Sequence, residues 1–288
     1  MRLPSLALAL SLAACSGAQT AATNAPTTAA NNAPVAFGSL DAAIAGAHRP
    51  VADRARDAHR HPAETLTFFG VRPGQTVIEL SPGGGWYTQI LAPLLHDQGQ
   101  LLAAIPAAEG PRARYHARFQ DFLRTRPDLY DRVRAVTFEP PGTIELGAPE
   151  SADVVLTFRN LHNWMGDNAL DAVFTAVHRV LKPNGVFGVV EHRAAEGADP
   201  ATSARQGYLA QAFVVQLAQR AGFVLDAASE VNANPRDTRD YPEGVWTLPP
   251  VLRLGDRDRE RYLAIGESDR MTLRFRKAPA AAAATPAP

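Results

Sequence analysis

The run Val77-Ile78-Glu79-Leu80-Ser81-Pro82-Gly83-Gly84-Gly85-Trp86-Tyr87-Thr88 constrains this 288-residue chain more than any other feature. A short β-type stretch carries an acidic side chain near its end, three glycines follow, and a helical pattern then opens. A strand that turns sharply into a helix needs glycine, and glycine also lets backbone approach a ligand that a Cβ would hold away. Two readings follow. The glycines form a tight turn that any α/β protein could use, or they cradle a nucleoside cofactor, with Glu79 accepting hydrogen bonds from the turn or from the cofactor.

The rest of the chain repeats this change of period. Thr76–Leu80, Gln100–Ile105, Ala152–Phe158 and Arg270–Lys277 read as strands, as do residues 134–138, 186–190 and 223–231. Residues 86–95, 113–125, 169–181 and 203–221 read as helices. In the second of these, Tyr115, Phe119 and Phe122 stand at i, i+4, i+7 spacing. Short buried runs alternating with helices predict a mostly parallel sheet covered on both faces. Residues 48–71 carry helical spacing ahead of the first strand, with Pro62 starting their second half. Residues 232–269 fit neither period and read as an insertion, either a lid or a surface loop.

The ends set the expected compartment. Arg2 followed by the apolar run from Leu6 to Ala14 is too short for a permanent membrane span and reads as an export signal. It ends in Leu12-Ala13-Ala14-Cys15, similar to a bacterial lipobox, which implies a lipidated Cys15 as a membrane anchor. An ordinary secretory signal containing a cysteine is the other reading. Ser16 after the cysteine favours the periplasmic face of the outer membrane. The expected organisation is a signal over residues 1–15, a tether over 16–36, one domain over 37–277 and a tail over 278–288. Cys15 is the only cysteine, so the domain has no thiol for a disulfide or a nucleophile. Lysine plus arginine equals aspartate plus glutamate at 29 each, which argues against nucleic acid as a partner. Arg49, Arg54, Arg56, Arg60 and Arg72, interleaved with Asp53, Asp57 and Glu64, read as a solvated helix face.

Three segments at matching spacing resemble the class I S-adenosylmethionine-dependent methyltransferases. They are the run from Glu79 to Gly85, the strand opening Ser151-Ala152-Asp153-Val154-Val155-Leu156, and Val180-Leu181-Lys182-Pro183-Asn184-Gly185-Val186-Phe187. The Pro-Gly-Gly-Gly-Trp-Tyr-Thr wording is similar to exported bacterial proteins described as predicted methyltransferases. The resemblance implies a Rossmann-like, seven-stranded, mostly parallel sheet with helices on both faces and S-adenosylmethionine as cofactor. It also implies cofactor contacts from Glu79, Ser81, Gly83, Gly84, Gly85, Trp86, Tyr87 and Asn160. The chain departs from the family pattern at three places. Ser81 replaces the first glycine, Ile105 followed by Pro106 stands where an acidic residue usually holds the ribose, and Thr143 stands where an acidic residue often lies beside adenine. Glu109 and Glu139 are out of register for these roles. A lost ribose acceptor costs about 1–3 kcal/mol of affinity.

Phe158-Arg159-Asn160-Leu161-His162-Asn163-Trp164 follows the fourth strand, on the edge where open α/β sheets bind ligands. Imidazole is the side chain that titrates nearest neutrality, so His162 is the candidate catalytic base, Asn160 a candidate for orienting the substrate, and Trp164 a wall. The alternative is that His162 and Trp164 dock the loop on the next helix. Glu191-His192-Arg193, with His59, His61 and His162, could supply metal ligands, but His59 and His61 lack helical ligand spacing. A Glu191–Arg193 salt bridge is the expectation, with no metal site. No Gly-x-Ser-x-Gly elbow or phosphate loop is present.

Three functions stay open. The first is methyl transfer to a small-molecule acceptor. The second is a non-catalytic envelope binding protein on the same scaffold, favoured by export away from the cytoplasmic cofactor supply. The third is a metal-dependent enzyme using the same cleft.

Overall fold

The computed structural model describes residues 35–278, so Cys15, the signal, most of the tether and nearly all of the tail lie outside the described residues. Seven strands form one sheet: β1 (Thr76–Leu80), β2 (Gln100–Ile105), β3 (Arg134–Thr137), β4 (Ala152–Phe158), β5 (Leu181–His192), β6 (Phe223–Ser229) and β7 (Arg270–Lys277). Their order is β3-β2-β1-β4-β5-β7-β6. β1 through β5 pair in parallel, while β7 runs antiparallel between β5 and β6.

Side-chain alternation along the central strands explains why both faces are covered. Val77, Val154, Leu156 and Val190 enter one core with Ile90, Leu91 and Leu66. Ile78, Leu80, Val155 and Val189 enter the other with Phe174, Leu217 and Phe275. By the same alternation Glu79 is carried, buried, to the face of the helix Thr88–Leu95. β1 pairs with both β2 and β4, so the order of the sheet reverses at β1, and the loops leaving β1 and β4 part to opposite sides. Such a switch point leaves a crevice at the carboxyl ends of the strands.

Several expectations are corrected. The helix expected over residues 203–221 is two helices, Pro200–Arg205 and Gln211–Arg220. Gly207 breaks it at φ +84°, and a Cβ there would strike Val245 at 2.4 Å. The intervening Leu209 instead bonds alongside the end of β5, donating its N–H to the His192 carbonyl. The turn Lys182-Pro183-Asn184-Gly185 bulges within β5, whose ladder steps from Ala152↔Leu181 to Val154↔Val186. The arginines before β1 are not a uniformly solvated face. Arg49 and Arg60 are buried. Arg49 forms a two-pronged pair with Asp57 at 2.7 Å on each side, and both guanidiniums lie over Trp86, at 4.9 and 4.6 Å.

The insertion over residues 232–269 packs on the sheet rather than hanging from it. Asn232 donates to Thr65 and Thr272, and Asp237 accepts from the Asp269 N–H. Its single-turn helix Gly244–Thr247 brings Trp246 over the carboxyl edge, where the indole lies 5.9 Å from the His162 ring.

Candidate functional site

The crevice is two hollows sharing a wall. Ser81, Pro82, Gly83, Gly84, Asn160 and Asn163 face both. The first, about 540 Å³, lies toward β2 and is bounded by Ile105, Pro106, Tyr115, Phe119 and Trp164. The second, about 420 Å³, lies toward β4 and β5, between Trp86, Phe158 and Trp246. Each falls within the range of small-molecule sites, roughly 300–1,000 Å³.

The three glycines divide their work. A Cβ on Gly83 or Gly84 would meet nothing within 4 Å, so these two leave open the shared wall. Gly85, at φ +81°, is needed for packing, because a Cβ there would lie 2.5 Å from the Phe122 ring. Ser81 adopts φ +49°, a left-handed conformation that glycine accepts at less cost. Glu79 lines neither hollow. It lies buried beneath the turn, where its carboxylate accepts from the Thr88 hydroxyl at 2.6 Å. Burial raises its pKa to about 7, against the Thr88 bond and the Arg159 charge. Tyr87 also lines neither. It is buried and stacks on Phe158 with ring centres 3.6 Å apart. Trp86 walls only the second hollow and donates its indole N–H to the Asp53 carbonyl.

Ile105 and Pro106 do reach the first hollow, as their position in sequence implies. Neither Glu109, Glu139 nor Thr143 lines it. Its one lining carboxylate is Asp167, paired with Arg112 at 2.9 Å. The wall that glycine leaves bare fits a nucleoside-sized ligand, whereas the ribose hydroxyls would have to depend on Asp167 or on backbone.

In the second hollow, His162 meets a partner that no local motif reveals. Its Nδ1 lies 3.0 Å from a carboxylate oxygen of Glu191, and both residues are buried. Glu191 also accepts from the Leu161 N–H at 2.6 Å and the His192 N–H at 2.8 Å. The expected Glu191–Arg193 salt bridge does not form; Arg193 pairs with Glu230 and Asp269. A carboxylate held by two backbone donors fixes the ring so that Nδ1 donates and Nε2 carries the lone pair. The Asn160 amide donates to the Leu80 carbonyl and the Thr157 hydroxyl, which leaves its oxygen as the atom to offer a ligand. His192 bonds to Ser268 at 2.5 Å, and burial, then the neighbouring His162 and Arg159, hold its pKa well below the usual range.

His162, Glu191 and His192 offer three possible ligand atoms within 4.8 Å of one another. His59 and His61 do not join them. Both Glu191 oxygens are already taken by N–H donors, so the group fits an oriented imidazole better than a cation site.

No protein-family model and no curated protein sequence matches the chain. Among solved structures, the chain is similar to a Galdieria sulphuraria protein described as a sarcosine dimethylglycine methyltransferase. The TM-score is 0.54 at 16% identity, covering 80% of this chain and 88% of that one. It is also similar to the cyclase SpnF, with a TM-score of 0.53 at 18% identity over 80% of this chain and 82% of that one. A third is phosphoethanolamine N-methyltransferase 2 of Haemonchus contortus, in complex with S-adenosylmethionine. It has a TM-score of 0.50 at 16% identity over 76% of this chain and 53% of that one. With the strand order above, these similarities give the chain the Rossmann-like fold of the class I methyltransferases.

Proposed function

We propose that this chain, built on the class I methyltransferase fold, transfers a methyl group from S-adenosylmethionine to a small acceptor, with His162 as the general base. The observation that carries the proposal is the buried His162–Glu191 pair at 3.0 Å, in a hollow that shares the Gly83–Gly84 wall with a second, nucleoside-sized one. When bound, the cofactor's sulfonium supplies an electrophilic methyl group. Ser81, Gly83 and Gly84 would hold it by backbone, and Asn160 by its amide oxygen. The chain contributes positioning and exclusion of water, which together supply much of the rate in a displacement of this kind. As the acceptor loses its proton, His162 Nε2 takes it up, and Glu191 holds the resulting imidazolium in place.

Calorimetry with S-adenosylmethionine and S-adenosylhomocysteine tests the reading. Micromolar to sub-millimolar binding of both is the expected result, weakened about tenfold to a hundredfold by the missing ribose carboxylate. Absence of heat at millimolar ligand would overturn it. It would favour the second reading, a binding protein that keeps the scaffold without turnover, for which Ile105 and Pro106 in the first hollow are the supporting observation. The cyclase among the similar structures shows that this fold is not tied to one activity.

Export and anchoring through a lipidated Cys15 belong to the same proposal and rest on the Leu12-Ala13-Ala14-Cys15 run. No helix among the described residues is long and apolar enough to cross a membrane. Cys15→Ser should leave the precursor uncleaved by the lipoprotein peptidase, and normal cleavage of that variant would refute the anchor.

A further inference from the structure

The second hollow carries positive charge that proton transfer does not need. Arg56, Arg60 and Arg159 line it, with only Asp53 and Glu267 as lining carboxylates. Asp53 is engaged by the Gln89 amide at 2.9 Å. Glu267 is shared by three guanidiniums: Arg56 at 2.7 Å, Arg60 at 3.3 Å and Arg270 at 3.1 Å. Burial alone would raise the Glu267 carboxyl, but Arg60, Arg270 and Arg56 outweigh it and pull it down to about 2. It therefore stays ionised, and it is already crowded.

Arg159 is left over. Its guanidinium has no hydrogen-bond or ion-pair partner among the described residues, and its Nη1 is buried without one. Arg56 Nη2 is in the same state, although its Nε is bonded to Glu267. Arg159 also holds φ +63°, a left-handed conformation that strains a non-glycine residue. Arg159 is only half-buried as a residue, but a guanidinium nitrogen shut off from water without a partner costs the fold its desolvation penalty. Strain and an unmet charge in one residue lining a hollow mark a ligand contact. The planar guanidinium matches carboxylate or phosphate through paired N–H donors. The hollow is concave and walled by Trp86, Phe158 and Trp246, which suits a small organic anion.

We infer that Arg159, with the free Nη2 of Arg56, binds an anionic group, carboxylate or phosphate, on the molecule that occupies the second hollow. Calling that molecule the methyl acceptor rests on the function proposed above; the anion site itself does not. The test titrates the full chain with inorganic phosphate and, separately, with acetate, following both heat and melting temperature. The stronger of the two identifies the group. Arg159→Gln should weaken that binding at least tenfold and abolish the rise in melting temperature that the anion produces. Without anion, the variant should melt at or above the wild-type temperature, because a guanidinium with a buried, unpartnered nitrogen has been removed. Arg159→Lys, which keeps the charge but loses the fork, should bind with intermediate affinity. Arg54→Gln, at an exposed position nearby, should bind as wild type.

Failure of wild type to bind either anion, or equal binding by Arg159→Gln, would overturn the inference. So would a melting temperature of Arg159→Gln well below wild type together with unchanged anion affinity, since that marks a purely structural role. If Arg159→Gln weakens S-adenosylmethionine at least tenfold yet leaves 5′-methylthioadenosine unchanged, the guanidinium reads the cofactor's own carboxylate, and the acceptor assignment falls. Phosphate or acetate binding that depends on Arg159, in a chain that binds no S-adenosylmethionine, would keep the anion site and remove the methyltransferase reading instead.

Discussion

The two hollows share one wall and differ in almost everything else. The first is bounded by Ile105, Pro106, Phe119 and Trp164, and its charged residues are Arg118 and the paired Arg112 and Asp167. The second gathers five charged side chains from segments far apart in the chain: Asp53, Arg56 and Arg60 before β1, Arg159 after β4 and Glu267 before β7. The first hollow offers mostly apolar walls and a glycine-bare edge, with its charges on one side-chain pair and Arg118. A buried set of charges survives only where each is paired or awaits a ligand. On the proposed function, the difference assigns the chemistry and the selectivity to the β4–β5 side, and the generic part of the scaffold to the β2 side.

The largest expected effect tests that division directly. His162→Ala should lower methyl transfer about 10²- to 10⁴-fold, the usual contribution of a positioned general base, while S-adenosylhomocysteine affinity changes less than twofold. The readout is S-adenosylhomocysteine formed in the presence of small anionic metabolites. A matched fall in cofactor affinity would show that the two hollows are not separate in function.

Neighbouring glycines separate wall from packing. Gly85→Ala places a methyl 2.5 Å from the Phe122 ring at a φ of +81°. It should destabilise the fold by about 2–4 kcal/mol, seen in chemical denaturation. Gly84 has no positive φ and open space at its Cβ, so Gly84→Leu should change stability by less than about 1 kcal/mol and block ligand entry to both hollows. If Gly84→Leu unfolds the protein, the shared wall is structural and the comparison fails.

How much of this was legible depends on sequence distance. β1, β2, β4 and β7 have the bounds their sequence predicts, because the first three are short apolar runs flanked by turn residues and β7 alternates Met271, Leu273 and Phe275 with polar side chains. The break at Gly207 was not legible. A single glycine inside a helical pattern is tolerated in general, and the contact that forbids a side chain here comes from Val245, far along the chain. The glycine turn pointed to the crevice, but not to Gly85 serving Phe122 or to Tyr87 being withdrawn against Phe158. Pairing of His162 with Glu191 spans 29 positions, and that of Arg56 with Glu267 spans 211. Neither leaves a local pattern, so the arginines read as a solvated face until the fold brought Glu267 among them.

Glu79 sharpens the contrast from beneath the shared wall. Its carboxyl, raised to about 7 by burial, takes up a proton on folding between its unfolded value of 4.5 and that point. Its contribution to stability is therefore full below about pH 4.5 and lost as pH rises through about 7. Glu79→Gln keeps an acceptor for Thr88 and removes the titration. Relative to this variant, wild type should lose on the order of 2–3 kcal/mol from pH 4.5 to pH 8. Parallel stability curves for the two proteins would show that Glu79 stays ionised throughout, and that the Arg159 charge outweighs burial at the turn.

The smallest expected effect concerns Ser81, where the family pattern has glycine. At φ +49° the serine carries left-handed strain of roughly 1 kcal/mol, and glycine would relieve it while adding a similar entropy to the unfolded chain. Ser81→Gly should therefore shift stability by less than about 1 kcal/mol in either direction. Its value lies in the ligand data, because Ser81 faces both hollows and makes no side-chain bond to protein among the described residues. Loss of affinity for S-adenosylmethionine alone assigns the hydroxyl to the β2 side, and loss of phosphate or acetate affinity alone assigns it to the arginine side. Equal loss of both would mean that the wall acts as one unit, and the two hollows would then have to be treated as a single site.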